Sequence, residues 1–162
     1  MSLADAEFIL ELLNSPGFLR FVGDKGVRTL NDARDYLRRG PLASYEQFGF
    51  GLSLVALRVG GTRIGICGLI RRDELDDVDI GFALLPDFCG QGYASEAAAA
   101  VLEEGWTRYG LERIVAITTP DNAASIAVLE TIGLRFERFV TLPGDDCELK
   151  LFAADHRKDN EG

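Results

Sequence analysis

The chain has 162 residues, 47% of them hydrophobic and 27% charged, the balance of a globular domain long enough to bury about 70% of its unfolded surface. Its net charge of -9 argues against nucleic acid as a partner, and no apolar run reaches the ~18 residues of a membrane span. An acidic field of this size favours cationic substrates and leaves any anionic cofactor to be held by local groups.

The first predicted element is a helix from about Ala4 to Asn14, on the helical spacing of Ala6, Ile9, Leu10 and Leu13. "NSPGF" is read as its break. A second helix follows in "TLNDARDYLRR", with Gly40-Pro41 as its stop. The runs "GLSLVALRV" and "RIGICGLIRR" then read as two strands joined at Gly60-Gly61, a two-residue hairpin signal. "VDIGFALL", Val78 to Leu85, is a third strand that completes an antiparallel meander and stops at Pro86.

"CGQGYASEA" leads into a helix from about Gly92 to Tyr109, whose apolar stripe carries Ala94, Ala97, Ala98, Val101, Leu102 and Trp106. "RIVAITT" is a buried strand, and a strand-helix-strand unit of this length makes its two strands parallel. A helix begins at "PDNAAS" and ends at Gly133. "LRFERFVTL" and "CELKLF" close the chain as strands. The order α-α-β-β-β-α-β-α-β-β gives one α/β domain over residues 1–162. "MSL" and "EG" at the ends resemble expression-vector remnants and are set aside, and no signal segment opens the chain.

Cys67, Cys89 and Cys147 are odd in number and lack C-x-x-C spacing, so neither a metal site nor a disulfide framework is expected, and a reducing cytoplasm is the expected compartment. The one histidine, His156, reads as a solvated tail residue.

The glycine turn has three readings. A dinucleotide fingerprint fails, because Ser95 stands at the third glycine position and Glu112 precedes the next strand instead of ending it. A P-loop fails for want of a lysine with serine or threonine after the glycines. A plain packing turn and a phosphate cradle at a helix N-terminus both remain, the latter using free N–H groups and about half a positive charge of helix dipole.

"DIGFALLPDFCGQGYASEA" followed by "LERIVAITTPDNAASIAVLETIGLRFE" resembles the GNAT superfamily of N-acetyltransferases, closely over about Val78 to Glu137. The branch it most resembles includes bacterial ribosomal-protein N-terminal acetyltransferases. The resemblance implies a mixed, mostly antiparallel sheet with a central splayed pair of parallel strands, flanked by helices. It implies acetyl-CoA as cosubstrate, with no metal, and a primary amine, on a protein N-terminus or a small molecule, as acceptor.

By that resemblance the N–H groups of Cys89, Gly90, Gln91, Gly92, Tyr93, Ala94 and Ser95 hold the pyrophosphate. Cys89 departs from the glutamine or arginine common at the start of this motif, so the backbone carries the contact. A β-bulge in the "GFALL" strand is expected to splay it. The backbone of Phe82, Ala83 and Leu84 then pairs with the pantetheine arm, and one freed N–H polarises the thioester carbonyl. The family often begins with a strand that this sequence does not contain, which leaves a homodimer among the open assemblies.

Amine acetylation needs a proton acceptor and a donor to the departing thiolate. The tyrosine that often donates is Leu129 here, so Ser125 is the expected donor and Asn122 the pantetheine contact. Both also suit local helix-start bonding. Asp79 is the expected base, with Glu148 second, and either could instead attract a cationic amine. Glu96 and the other acids between Asp73 and Asp79 read as solvated surface. A non-catalytic acyl-CoA sensor or interaction module is the alternative reading.

Overall fold

The computed structural model describes residues 1–156. The chain opens with a 3-10 turn, Leu3–Asp5, capped by the Ser2 hydroxyl. Helices α1 (Ala6–Leu13), α2 (Pro16–Phe21), α3 (Leu30–Leu37) and α4 (Ala43–Phe48) follow. Then come strands β1 (Leu52–Ala56), β2 (Arg63–Ile70) and β3 (Asp79–Leu84), helix α5 (Tyr93–Thr107), strand β4 (Arg113–Thr118), helix α6 (Ala123–Thr131), and strands β5 (Arg135–Val140) and β6 (Leu149–Asp155). No helix among the described residues is long and apolar enough to cross a membrane.

The break after α1 falls at Asn14-Ser15, within "NSPGF" as expected. Other local readings differ for identifiable reasons. Pro16 begins a helix not foreseen: it occupies the first turn of α2, where its missing N–H costs nothing and its fixed φ is already helical. Gly40-Pro41 does not end α3. A π-helical turn, Arg38–Leu42, widens the backbone around the Pro41 ring and carries the helix on into α4. The true stop is Gly49, with a left-handed φ of 80°. The β1–β2 turn is also longer than expected, because Leu57 already pairs with Thr62 through a 2.8 Å hydrogen bond and residues 58–61 form the loop.

The six strands form one sheet in the order β1-β2-β3-β4-β6-β5, with β3–β4 the one parallel pair. Strand alternation splits its side chains between two faces. On one, Cys67, Ile80, Ile114 and Phe152 pack under α5 and α6 with Ala98, Leu102 and Leu129. On the other, Ile66 and Ala83 meet α1 and α3 through Ile9, Leu12 and Leu37, while Val115 and Leu151 are covered by Leu75. Full burial of each large aliphatic or aromatic side chain contributes about 1.5–3 kcal/mol. Met1 and Leu3 pack against the α1–α3 side, so the first residues take part in the fold.

His156 is exposed but not free. Its ring stacks on Trp106 at 5.1 Å, and its N–H donates to the Glu112 carbonyl. Residues 161–162, set aside above, lie outside the described residues.

Close approach of β1 to β2 depends on Gly68. A Cβ there would lie 2.3 Å from the Gly51 carbonyl oxygen and 2.7 Å from the Leu52 Cα, both backbone atoms that cannot turn aside. Gly68→Ala is expected to cost about 1–3 kcal/mol, read as a lower urea midpoint at unchanged m-value. Gly17→Ala, in helix α2 with nothing within 4 Å, is the control and should leave the midpoint unchanged or raise it.

Candidate functional site

Strands β3 and β4 touch at a single bridge, Asp79 to Val115, where the Val115 N–H donates to the Val78 carbonyl at 3.0 Å. Beyond it they part. The expected bulge is absent: β3 runs against β2 in unbroken register from Asp79 to Leu84. The splay comes instead from the two strands following different partners, β2 on one side and β6 on the other.

Alternation decides which backbone groups line the gap. Leu85 donates to the Ile64 carbonyl at 2.8 Å, so Ala83 and Gly81 also direct their N–H and C=O toward β2. Phe82 and Leu84 point theirs into the gap. Ala83 therefore contributes only a side chain, packed on the α1–α3 side, and not the backbone pairing expected of it. Across the gap, Val115 faces β3, and by the same alternation so does Ile117.

At the top of β3 a 3-10 turn, Pro86–Phe88, leads to the glycine turn. Gly90 and Gly92 have φ of 75° and 85°, a region that strains any residue with a Cβ. Neither would crowd a neighbour with a Cβ, so the requirement is backbone direction over an open surface. Gly92 is the N-cap of the 15-residue α5 and provides no side-chain cap. The first intrahelical bond is Glu96 N–H to the Gly92 carbonyl, which leaves the N–H groups of Tyr93, Ala94 and Ser95 free to face an anion. The Cys89 N–H is not among them, because it donates to the Pro86 carbonyl at 3.2 Å. The Gln91 side chain is also committed, donating to the Asp87 carbonyl at 2.8 Å.

Helix α6 starts at the open end of the gap. The Asn122 Oδ1 accepts from the Ser125 N–H at 3.2 Å, so Asn122 is an N-cap. Its amide nitrogen and the Ser125 hydroxyl make no hydrogen bond among the described residues. Leu129, by contrast, is packed in the core.

Asp79 is only 1% exposed and lies on the α1–α3 side of the sheet. The Arg72 Nε donates to its two oxygens at 3.0 and 3.2 Å. Burial pushes the carboxyl up to about 6, against the downward pull of that guanidinium. Burial also pushes the Tyr36 phenol up, and Arg72 opposes this too, which places Tyr36, Arg72 and Asp79 in one neighbourhood. Glu148 is exposed on the approach to β6. Arg72 had no motif to reveal it: it reaches Asp79 because the charged turn folds back, with Leu75 anchored on Val115 and Leu151. Just beyond β4, the buried Thr119 hydroxyl has no hydrogen-bond partner among the described residues. A separate cleft of about 230 Å³, lined by Tyr45, Phe50, Glu104 and Tyr109, lies at the β1–β2 end of the sheet.

A gap edged by free strand groups, beside a helix N-terminus with free N–H groups, suits a long ligand with an anionic end. A family model described as an acetyltransferase (GNAT) domain matches residues 1–135. The chain belongs to the GNAT acetyltransferase family. It is an acetyl-CoA-dependent N-acetyltransferase.

The uncharacterized N-acetyltransferase YnaD of Bacillus subtilis (strain 168) is 30% identical to this GNAT chain over 135 residues, 83% of this chain and 76% of YnaD. An acetyltransferase structure from Agrobacterium tumefaciens str. C58 superposes with a TM-score of 0.80 at 25% identity, covering 96% of this chain and 88% of that one. A RimL ribosomal L7/L12 α-N-protein acetyltransferase in complex with coenzyme A gives 0.79 at 18% identity, covering 96% and 90%. The last likeness shows the fold alone, so the ribosomal-protein branch is not established by it.

The three thiols should report on this geometry. Cys67 is buried and its thiol is pushed up to about 12, whereas Cys89 and Cys147 are exposed. A thiol reagent is expected to label Cys89 and Cys147 in the native protein and Cys67 only on unfolding. Acetyl-CoA should protect Cys89, at the start of the glycine turn, and leave Cys147 reactive. Peptide mapping by mass spectrometry assigns the sites.

Proposed function

We propose that this protein moves the acetyl group of acetyl-CoA to a primary amine by direct attack in a ternary complex. The observation that carries this is the juxtaposition of the β3–β4 gap with the free N–H groups of the α5 N-terminus. In this reading the N–H groups from Gly90 to Ser95 hold the pyrophosphate, and the helix dipole offsets the repulsion of an acidic chain. The groups of Phe82 and Leu84 pair with the pantetheine arm as an added strand would, and one of their N–H groups polarises the thioester carbonyl. The amide nitrogen of Asn122, free of its capping role, adds a contact to the arm.

Ser125 supplies the proton to the departing thiolate, directly or through one water. Its hydroxyl is free of any local bond that would hold it back. Asp79 accepts the proton of the incoming ammonium. A carboxyl pushed up to about 6 is ionised at neutral pH yet more basic than an exposed aspartate. The net charge of -9 draws a cationic amine toward the site, whether on a protein N-terminus or a small molecule. Acetyl-CoA supply and three unpaired thiols favour a cytoplasmic setting.

Calorimetry with acetyl-CoA tests the binding half: absence of heat at millimolar ligand would sink the proposal. Gly92→Ala, which forces a Cβ into a left-handed φ, should raise Kd about tenfold or more. Binding without turnover on a broad amine panel would favour the non-catalytic sensor instead.

The two acid–base roles separate kinetically. Ser125→Ala should lower kcat by about 10²-fold with little change in acetyl-CoA affinity, and the opposite split would remove Ser125 from the donor role. A base must be deprotonated to act, so kcat/KM should rise with pH and level off above about 6. In Asp79→Asn that rise should vanish. A limb that survives the substitution belongs to another group.

A further inference from the structure

Strand β5 ends the sheet, with β6 on one side and no strand on the other among the described residues. Its residues from Arg135 to Phe139 are all exposed. An open edge offers backbone N–H and C=O groups to another chain unless charge, proline or a bulge blunts it. Here the register against β6 shifts between Phe136 and Arg138, so Glu137 is the extra residue of a bulge. A bulged edge discourages indiscriminate pairing and leaves the choice of partner to the side chains.

The bulge sorts those side chains onto two faces. Phe136 lies opposite Phe152 and Phe139 opposite Lys150, so both rings stand on the α5–α6 face although they are three residues apart in sequence. They make an edge-to-face pair with centroids 5.2 Å apart, and nearly half of each residue stays exposed. Arg138 takes the other face, opposite Leu151. Glu137 joins it there, bonded to Arg113, which shares the Val115 face of β4 by alternation.

The order of residues along this edge is its own complement. Let a second copy run antiparallel to β5 about a two-fold axis between Glu137 and Arg138. Phe136 then stands opposite the partner's Phe139, and Glu137 opposite the partner's Arg138, with each contact repeated by symmetry. Opposite residues share a face, so rings meet rings on one side of the joined sheet and unlike charges meet on the other. A slip of one residue would set Glu137 or Arg138 against its own copy and take the rings out of line. Charge also favours a second copy. Arg135, Arg138 and Lys150 outnumber Glu137 here, a basic strip on a chain whose net charge is -9.

We propose that the free edge of β5 is a homodimer surface, where two copies pair antiparallel about a two-fold axis and join their sheets into one. The surface uses no group of the acetyl-CoA site, so it holds whether or not that site is correctly read.

Sedimentation equilibrium from about 1 to 200 µM should show monomer and dimer in exchange with a micromolar Kd, as suits a small interface. Phe139→Thr keeps β propensity and removes the ring, and should weaken the dimer about tenfold or more. Arg138→Glu sets like charges opposite each other and should leave monomer, as should Glu137→Arg. An equimolar mixture of these two variants restores both Glu–Arg contacts and should form a heterodimer that neither variant forms with itself. Thermal melts followed by circular dichroism check that each variant folds. If Glu137→Arg fails to fold for loss of its Arg113 bond, Phe139→Thr and Arg138→Glu decide alone. A parent that stays monomeric at about 200 µM overturns the assignment and leaves the edge to a different protein. So does a dimer that Phe139→Thr and Arg138→Glu leave intact, or a mixture of folded charge variants that stays monomeric.

Discussion

The architecture turns on one point of contact, the bridge between Asp79 and Val115. On either side of it the sheet is conventionally antiparallel, β1-β2-β3 on one hand and β4-β6-β5 on the other. With one bridge between them, the backbone joins the halves only weakly. They are held mainly by side chains: Cys67 and Ile80 from one half share a core with Ile114 and Phe152 from the other, under Ala98 and Leu102 of α5 and Leu129 of α6. That division lets the strands part above the bridge without loss of the fold. Strand groups that would otherwise be paired become available to a ligand.

The same division places the proposed site. The gap opens toward the turn that starts α5 and toward the start of α6, so an anion site, a strand edge and a free serine hydroxyl meet at one end of the sheet. Asp79 sits at the closed end, where burial raises its carboxyl and Arg72 keeps it from the full cost of isolation. An acidic protein can take an anionic ligand there because attraction at short range comes from oriented N–H groups, whereas net charge acts at longer range and is screened by salt.

Much of this was legible from pattern. The apolar periodicities of β2, β4 and α5 and the glycine cap at Gly133 marked those elements, because each depends on residues a few positions apart. Proline was the least reliable sign. Pro16 begins a helix and Pro41 sits inside a helical run, since what proline forbids depends on whether its missing N–H was needed. Cys89 was expected to offer its N–H to an anion, and a carbonyl only three residues away takes that group instead.

By itself the sequence determined the order of the elements from β1 onward and the family to which the motifs belong, for these rest on local backbone preference and short motifs. Only the tertiary structure decided which groups share a site. The Arg72–Asp79 pair arises from a turn folding back, and the direction of Phe82 and Leu84 from strand parity set by β2. Each is a contact between segments whose meeting depends on the packing of the whole sheet, and no local pattern in the chain encodes it.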